Sequence, residues 1–476
     1  MQDAFEHPLV QRYAGRDMLE LFSPRRRFTT WRELWVALAA AEHDIGLPVS
    51  KQQVSQMKGA LHEFDFDRAA ELERELRHDV MAHVHHFGEK APDAKGVIHL
   101  GATSCFVTDN ADLILYRRAL GLVESRLVQC ARALAEFAAR WRSEPCLGFT
   151  HYQVAQPTTV GKRATLWLQD LLLDLDEVRR VIEWLPARGL KGTTGTQASF
   201  LALCDGEDEK VRELDRRVCA AMGFERSIPV SGQTYTRKID WTIHQALCGV
   251  AQSTAKFAAD LRLLSHDGEM EEPSESKQIG SSAMPYKKNP MRCERVTSLC
   301  RYVLAAADTS AQTAANQWLE RTLDDSAVRR IALPESFLAI DAILILCENV
   351  MRGMQVFPRV IGRRLDENLP FLAAEELLMA GVRAGGDRQD LHERFRIHSR
   401  EAVRRIKEQG EANPLLSLIE GDEAFSRLEE PVRDLLDAKR FVGRAPAQVD
   451  EFLAEEFSPR MKGVAEDAAS SEELRV

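Results

Sequence analysis

The longest regular pattern in the chain runs from Leu113 to Trp141. Leu113, Tyr116, Leu120, Val123, Leu127, Cys130, Leu134, Phe137 and Trp141 recur at alternating spacings of three and four. This spacing keeps every member on one face of an α-helix, and no proline interrupts it. A helix of about 30 residues is ~45 Å long. So sustained a stripe packs against other long helices at a shallow angle. Ala164, Leu168, Leu171, Leu175, Val178, Ile182 and Leu185 repeat the pattern, and weaker stripes run from about Ile239 to Leu264 and from about Ile331 to Val350. The pattern predicts an all-α fold built on an elongated bundle of four or more long helices. Leu171-Leu172-Leu173 and Ala305-Ala306-Ala307 supply more apolar or small surface than one seam needs. That excess predicts a homo-oligomer in which bundles pack on one another.

The flanks read differently. Residues 1–103 look like shorter helices with a turn-rich end. From 357 onward a helical region is punctuated by Pro358, Pro370, Gly385-Gly386, Pro414 and Pro446. A length of 476 residues exceeds one ordinary core, so about three domains are expected. Their expected boundaries are 1–103, mainly helical; 104–356, the long-helix bundle and oligomerisation domain; and 357–476, helical, with a polar, frayed tail from about Glu466.

Composition narrows the class. With 45% hydrophobic and 29% charged residues the chain reads as soluble and globular. A net charge of -10 disfavours non-specific nucleic-acid binding. No apolar run approaches the ~18 residues of a membrane span, and Met1-Gln2-Asp3-Ala4-Phe5-Glu6 lacks the basic and apolar parts of a leader. Nine cysteines without a Cys-x-x-Cys pair suit a reducing, cytoplasmic setting, mostly as small buried hydrophobes. Neither a P-loop nor a Gly-rich dinucleotide fingerprint is present.

Candidate chemistry lies between the stripes. In Gly280-Ser281-Ser282-Ala283-Met284-Pro285-Tyr286-Lys287-Lys288-Asn289-Pro290, a mobile hydroxyl segment precedes two lysines and an Asn-Pro pair suited to start a helix near Met291. The expected helix start and the lysines make an anion site, where a serine loses its proton more readily. A basic loop with an ordinary cap accounts for the same composition. His151, in Gly148-Phe149-Thr150-His151-Tyr152-Gln153, is expected at a helix-end junction, where a histidine can protonate a leaving nitrogen. A hydrogen-bonded junction histidine is the plainer reading. Thr103 and Ser104 open the first long helix, either as a simple cap or as a carboxylate cradle. Glu320-Arg321-Thr322-Leu323-Asp324-Asp325-Ser326 and Arg329-Arg330 offer guanidinium forks for phosphate, or an ion-paired helix face. His83, His85 and His86 follow Arg77-His78-Asp79, but their spacing matches no zinc motif. Structural roles are expected for them, and no metal site.

Gly-Ser-Ser-x-Met-Pro-x-Lys-x-Asn-Pro resembles the signature loop of the fumarase/aspartase superfamily. With Ala283 and Tyr286 it looks most like the adenylosuccinate lyase family. The likeness runs from Arg12-Tyr13 to the C-terminal region. It implies elimination of fumarate from adenylosuccinate and from the succinylated imidazole-carboxamide ribotide of purine synthesis, with no cofactor. The substrates are small molecules, and neither nucleic acid nor membrane is an expected partner. A homotetramer is implied, each site built from three subunits.

By this resemblance His151, in its Thr-His-x-Gln context, is the general acid and His78 supports it electrostatically. Ser281 is the general base, with Ser282 as the alternative. Lys287 and Arg295 would hold the succinyl carboxylates. Arg12, Tyr13, Arg321, Ser326 and Arg330 would surround the phosphate, while Arg77, Asp79, Thr103, Ser104 and Gln233 contact substrate. One departure stands out: the family places proline four residues after the signature threonine, and this chain has Val154. Two rivals stay open on sequence alone: an argininosuccinate lyase, whose substrate carries no phosphate, and a catalytically silent relative using the same bundle.

Overall fold

The computed structural model describes residues 4–275, 283–426 and 436–464. Short helices form the first hundred residues. Helix α1 (Pro24–Asp44) starts at Ser23, whose hydroxyl accepts the Arg26 N–H, a standard N-cap with proline at the first helical position. Its buried face carries Trp31, Trp35 and Arg32. Arg32 is tolerated there because Nη1 donates to the carbonyls of Ala60, Leu61 and Glu63 while its guanidinium stacks over Phe64 at 3.9 Å. A helix at Phe66–Leu76 then leads through a tight turn to α2 (Asp79–Lys90).

Five long helices follow: α3 (Ser104–Arg140), α4 (Val160–Trp184), α5 (Lys238–His266), α6 (Met291–Ala315) and α7 (Asp325–Gly353). At 37 residues, α3 is ~55 Å long. Each predicted stripe falls on one of these helices, the first two ending on the cap residues Trp141 and Leu185. Leu113, Leu120, Leu127, Cys130 and Leu134 are fully buried, because α3 packs against both α4 and α7. α5 packs on α6 and α6 on α7, closing the bundle. Trimming one such leucine to alanine costs about 2–5 kcal/mol. Pro334 lies inside α7. Lacking an N–H, it leaves the Arg330 carbonyl without its helical donor one turn earlier.

Between α3 and α4 the chain forms a hairpin, β1 (Pro145–Thr150) and β2 (Gln153–Thr159), with a bulge between Leu147 and Gly148. Gly148 is required at this bulge: a Cβ would lie 2.4 Å from the Gln156 carbonyl oxygen. A second small sheet pairs β3 (Met270–Glu271) with β4 (Gln355–Val356). It ties the segment before the signature loop to the start of α8 (Pro358–Leu372). Ile361, Leu365 and Leu369 join α8 to the main core. Beyond it, Ala373, Leu377, Leu391, Phe395, Leu415 and Ile419 make a separate small core. Eight cysteines are buried and Cys248 is partly buried. Among the described residues no helix is long and apolar enough to cross a membrane.

Candidate active site

The turn between the Phe66–Leu76 helix and α2 is Arg77-His78-Asp79. Arg77 takes a left-handed conformation, with φ of 53°, and ends the first helix. His78 caps the second: its Nδ1 accepts the Met81 N–H at 3.3 Å. With Nδ1 used as acceptor, the proton of the neutral ring belongs on Nε2. Nε2 lies 3.3 Å from the Ser104 hydroxyl. Thr103 holds the cap position of α3 in extended conformation, yet its hydroxyl makes no capping bond. The start of α3 therefore keeps donors facing the imidazole, as a carboxylate cradle requires.

These groups line one cavity of about 510 Å³, together with Gln233, Arg321, Ser326 and Arg330. Of the predicted site residues, Arg77, His78, Asp79, Thr103, Ser104, Gln233, Arg321, Ser326 and Arg330 thus meet within a single chain. Beneath them runs an ionic layer that the sequence reading did not single out. Arg237 donates to both oxygens of Asp109 at 3.2 and 3.3 Å and to Asp325 at 2.7 Å. Asp325 also accepts from Arg321 at 2.9 Å. Arg329 donates to Asp240 at 2.6 Å and to the Tyr235 hydroxyl at 2.5 Å, and Tyr235 donates in turn to Asp240. Burial alone would raise the Asp109 carboxyl, but Arg237 and Arg329 hold it below the ordinary range.

This layer separates neighbouring arginines by role. Arg329 points inward and is nearly buried, whereas Arg330 is half exposed and reaches Asp79 at 2.9 Å. Asp79 is pushed up by burial, but its bonds to Arg330 and the Val80 N–H bring it below the usual carboxylate range. A signal for the layer was present: Asp109 and Asp112 lie on the helix that carries the longest apolar stripe, just ahead of it, and a buried charge calls for a partner. Cys105 also lines the cavity, its Sγ 3.7 Å from Gln233 Oε1.

The other predicted groups lie elsewhere on the chain. His151 and Tyr152 form the tip of the β1–β2 hairpin, with φ of 52° and 56°. Two successive left-handed residues make the tight turn that matches strand twist. His151 is therefore presented to solvent from a hairpin, not from the expected helix-end junction. Val154 sits in β2 opposite Phe149, and Pro157 opposite Leu147, so the departure from the family pattern is absorbed by strand pairing. Lys287 lines a second hollow of about 380 Å³ with Glu271, Glu272, Tyr286 and Lys288. Arg295 stacks over Tyr13 at 5.5 Å and Arg12 at 5.9 Å, forming a third cluster. Ser281 and Ser282 lie outside the described residues.

The start of α6 also differs from expectation. Pro290, not Asn289, holds the cap position, and Met291 is the first helical residue. The Arg292 and Cys293 N–H groups both donate at 3.0 Å to the Glu272 carboxylate. The anion site is present, but a side chain of the same chain fills it. Arg292 strengthens the closure by donating to the Pro273 carbonyl and the Glu275 carboxylate, each at 2.6 Å.

His83 and His86 pack rather than point at the cavity. His83 stacks on Phe28 with centroids 3.7 Å apart, and burial pushes it down to about 4. His86 is buried and accepts the Asp65 N–H. Lys191, in the small-residue loop Lys191–Gln197, is held by Asp215 and Ser227, so its charge is already matched. Among the described residues no cluster is arranged to hold a metal.

Comparison with known proteins identifies the family. The profile of a family described as lyase matches residues 17–305, and one described as adenylosuccinate lyase C-terminus matches 370–452. The adenylosuccinate lyase of Saccharomyces cerevisiae is 49% identical over 96% of this chain and 95% of its own length. That of Schizosaccharomyces pombe is 47% identical over 96% and 95%. Among solved structures, the 3-carboxy-cis,cis-muconate lactonizing enzyme of Pseudomonas putida superposes with a TM-score of 0.80 at 23% identity, covering 94% of this chain and 98% of that one. At that identity the likeness concerns the fold. With near-full-length relatives at 45–49% identity and a cavity lined by the Arg77-His78-Asp79 and Thr103-Ser104 elements, the chain belongs to the adenylosuccinate lyase family.

Proposed function

We propose that this chain eliminates fumarate from adenylosuccinate, leaving AMP, and from the succinylated imidazole-carboxamide ribotide, leaving the free carboxamide ribotide. The observation that carries this reading is the one-chain cavity. Its rim guanidiniums, Arg321 and Arg330, suit a phosphate, while the His78–Ser104 edge suits a carboxylate. Each rim arginine is paired with an aspartate and keeps further donors for a phosphate fork. Argininosuccinate has no phosphate to use them.

The reaction removes a weakly acidic proton beside a carboxylate and then breaks a C–N bond. Ser281 is assigned as the base taking the proton, with Ser282 as the alternative. The resulting aci-carboxylate carries doubled negative charge and is stabilised by Lys287, Arg295 and the donors at the start of α3. As the electron pair of the breaking C–N bond moves to nitrogen, His151 delivers a proton to it. Fumarate and the amino product leave, the serine passes its proton to solvent, and His151 regains one from solvent. Arg12 and Tyr13 complete the phosphate end, and Arg77, Asp79, Gln233 and Ser326 orient the nucleotide.

His151, Lys287 and the Tyr13–Arg295 pair lie outside the principal cavity of their own chain. A homotetramer, in which other copies bring these parts to each cavity, accounts for that division. Exposed Leu166, Leu173 and Leu263 on the long helices suit such packing. The reading includes the three-part division at 103/104 and 356/357 and a cytoplasmic setting. It is tested by following fumarate release with adenylosuccinate beside argininosuccinate. Turnover of the first alone is expected; turnover of argininosuccinate alone would overturn it.

A further inference from the structure

Glu269 is the most heavily buried carboxylate outside the cavity's ionic layer that has cations on two sides. Its residue is 0% exposed. Arg364 of α8 approaches Oε1 at 3.2 Å, and Arg163 of α4 approaches Oε2 at 3.9 Å. Neither oxygen accepts a well-aligned hydrogen bond, so the contacts are ionic and sensitive to charge more than to shape. Burial raises the Glu269 carboxyl, and the two arginines oppose that rise.

What the three groups touch gives the cluster its meaning. Arg163 donates to the Leu147 carbonyl of β1 at 2.5 Å and lies over the Phe149 ring at 5.9 Å. It therefore grips the hairpin that presents His151. Glu269 leads directly into β3, and its own carbonyl accepts the Phe357 N–H at 2.9 Å. Three residues further on, Glu272 holds the start of α6. Arg364 also pairs with Asp267 at 2.8 Å, and α8 packs directly on β1 and β2. One buried carboxylate thus joins the hairpin, the strand entering the signature loop and the C-terminal helical region.

We propose that Glu269 is a positioning residue for catalysis, its charge holding Arg163 and Arg364 so that the His151 hairpin and the approach to the signature loop keep a fixed relation. It touches no substrate and acts through the two arginines. The proposal rests on the assignment of His151 as the acid, yet its mechanical part can be read without activity. A reacting group displaced by about 1 Å can lose ~100-fold in rate, so the cluster is placed to affect kcat while the cavity that binds the nucleotide is untouched.

The test uses the full-length enzyme carrying Glu269→Gln, with Arg364→Gln as a second variant from the more exposed side should the first not fold. Two measurements are made on each: amide hydrogen exchange, and kcat and KM with adenylosuccinate. Exchange at 145–159 is expected to rise about tenfold with little change in α3 and α7. The kcat is expected to fall roughly tenfold or more, with KM within about twofold. In hairpin exchange the double variant should be little worse than Glu269→Gln alone, because both changes break the Glu269–Arg364 contact, while the Arg364–Asp267 pair lost in addition lies away from the hairpin. Unchanged hairpin exchange, or a KM rise with kcat unaltered, would overturn the proposal. A near-normal His151→Ala enzyme would instead remove the acid assignment while the exchange result still reports on the cluster.

Discussion

The cavity and the hairpin obtain their functional groups in opposite ways. Around the cavity every element is internally braced: Asp325 holds Arg237 and Arg321, Asp240 holds Arg329, and His78 is fixed by the helix it caps. At the hairpin, His151 sits on a two-residue turn with an exposed tyrosine beside it. Under the roles proposed above, the contrast means that grip on the nucleotide is preorganised within one chain, whereas the proton donor is offered outward. Precision at the tip must then come from its base, through the Leu147 carbonyl, and from whatever surface receives it.

The largest expected effect tests the outward half. His151→Ala should lower turnover about 10²–10⁴-fold with the oligomer intact by light scattering; near-normal turnover would remove His151 from the chemistry. Co-assembling that variant with Arg321→Ala sharpens the contrast. If the two residues serve a site from different copies, random mixing of equal amounts restores up to about a quarter of the sites. If both come from one chain, no activity returns.

The braced half is tested by Arg237→Met, which leaves Asp109 without its bidentate guanidinium and Asp325 with Arg321 alone. A loss of about 3–5 kcal/mol in denaturant unfolding is expected; a cost under ~1 kcal/mol would show the layer to be ornamental. A smaller effect is expected for Arg321→Ala, about 1.5–3 kcal/mol in binding a phosphorylated substrate, with little change for a nucleoside analogue. Equal losses on both would contradict the phosphate role. Smallest of all, Tyr152→Asn relieves a bulky residue from a left-handed position and should stabilise the chain by ~0.5–1 kcal/mol by thermal melting. A drop in melting temperature would mean that the tyrosine ring, not the turn, holds the tip.

Much of the frame was legible because long helices repeat one signal many times. Leu113 to Trp141 carries nine concordant positions, and α3 ends at Arg140 with Trp141 as its cap. The hairpin was not legible. Thr150-His151-Tyr152-Gln153 contains none of the Asn-Gly or Asp-Gly pairs that mark such turns, and its strands are too short for periodicity to separate them from a loop. Legibility of the site followed the same division. Arg77-His78-Asp79 could be found from a contiguous motif, but the inward pairing of Arg237, Asp240 and Arg329 could not, since it joins positions about 90–130 apart in the chain. The helix start near Met291 was legible from Asn289-Pro290, but the cap falls one residue later, on Pro290, and the occupant of the anion site was not legible, because the carboxylate of Glu272 arrives from another segment.

That carboxylate has a further consequence. Since Glu272 and Arg292 fasten the two stems of the signature segment to each other, whatever happens between them begins and ends at one anchorage. A shift of the incoming strand is handed to α6 and not lost in slack, so the two stems move as parts of a single plate.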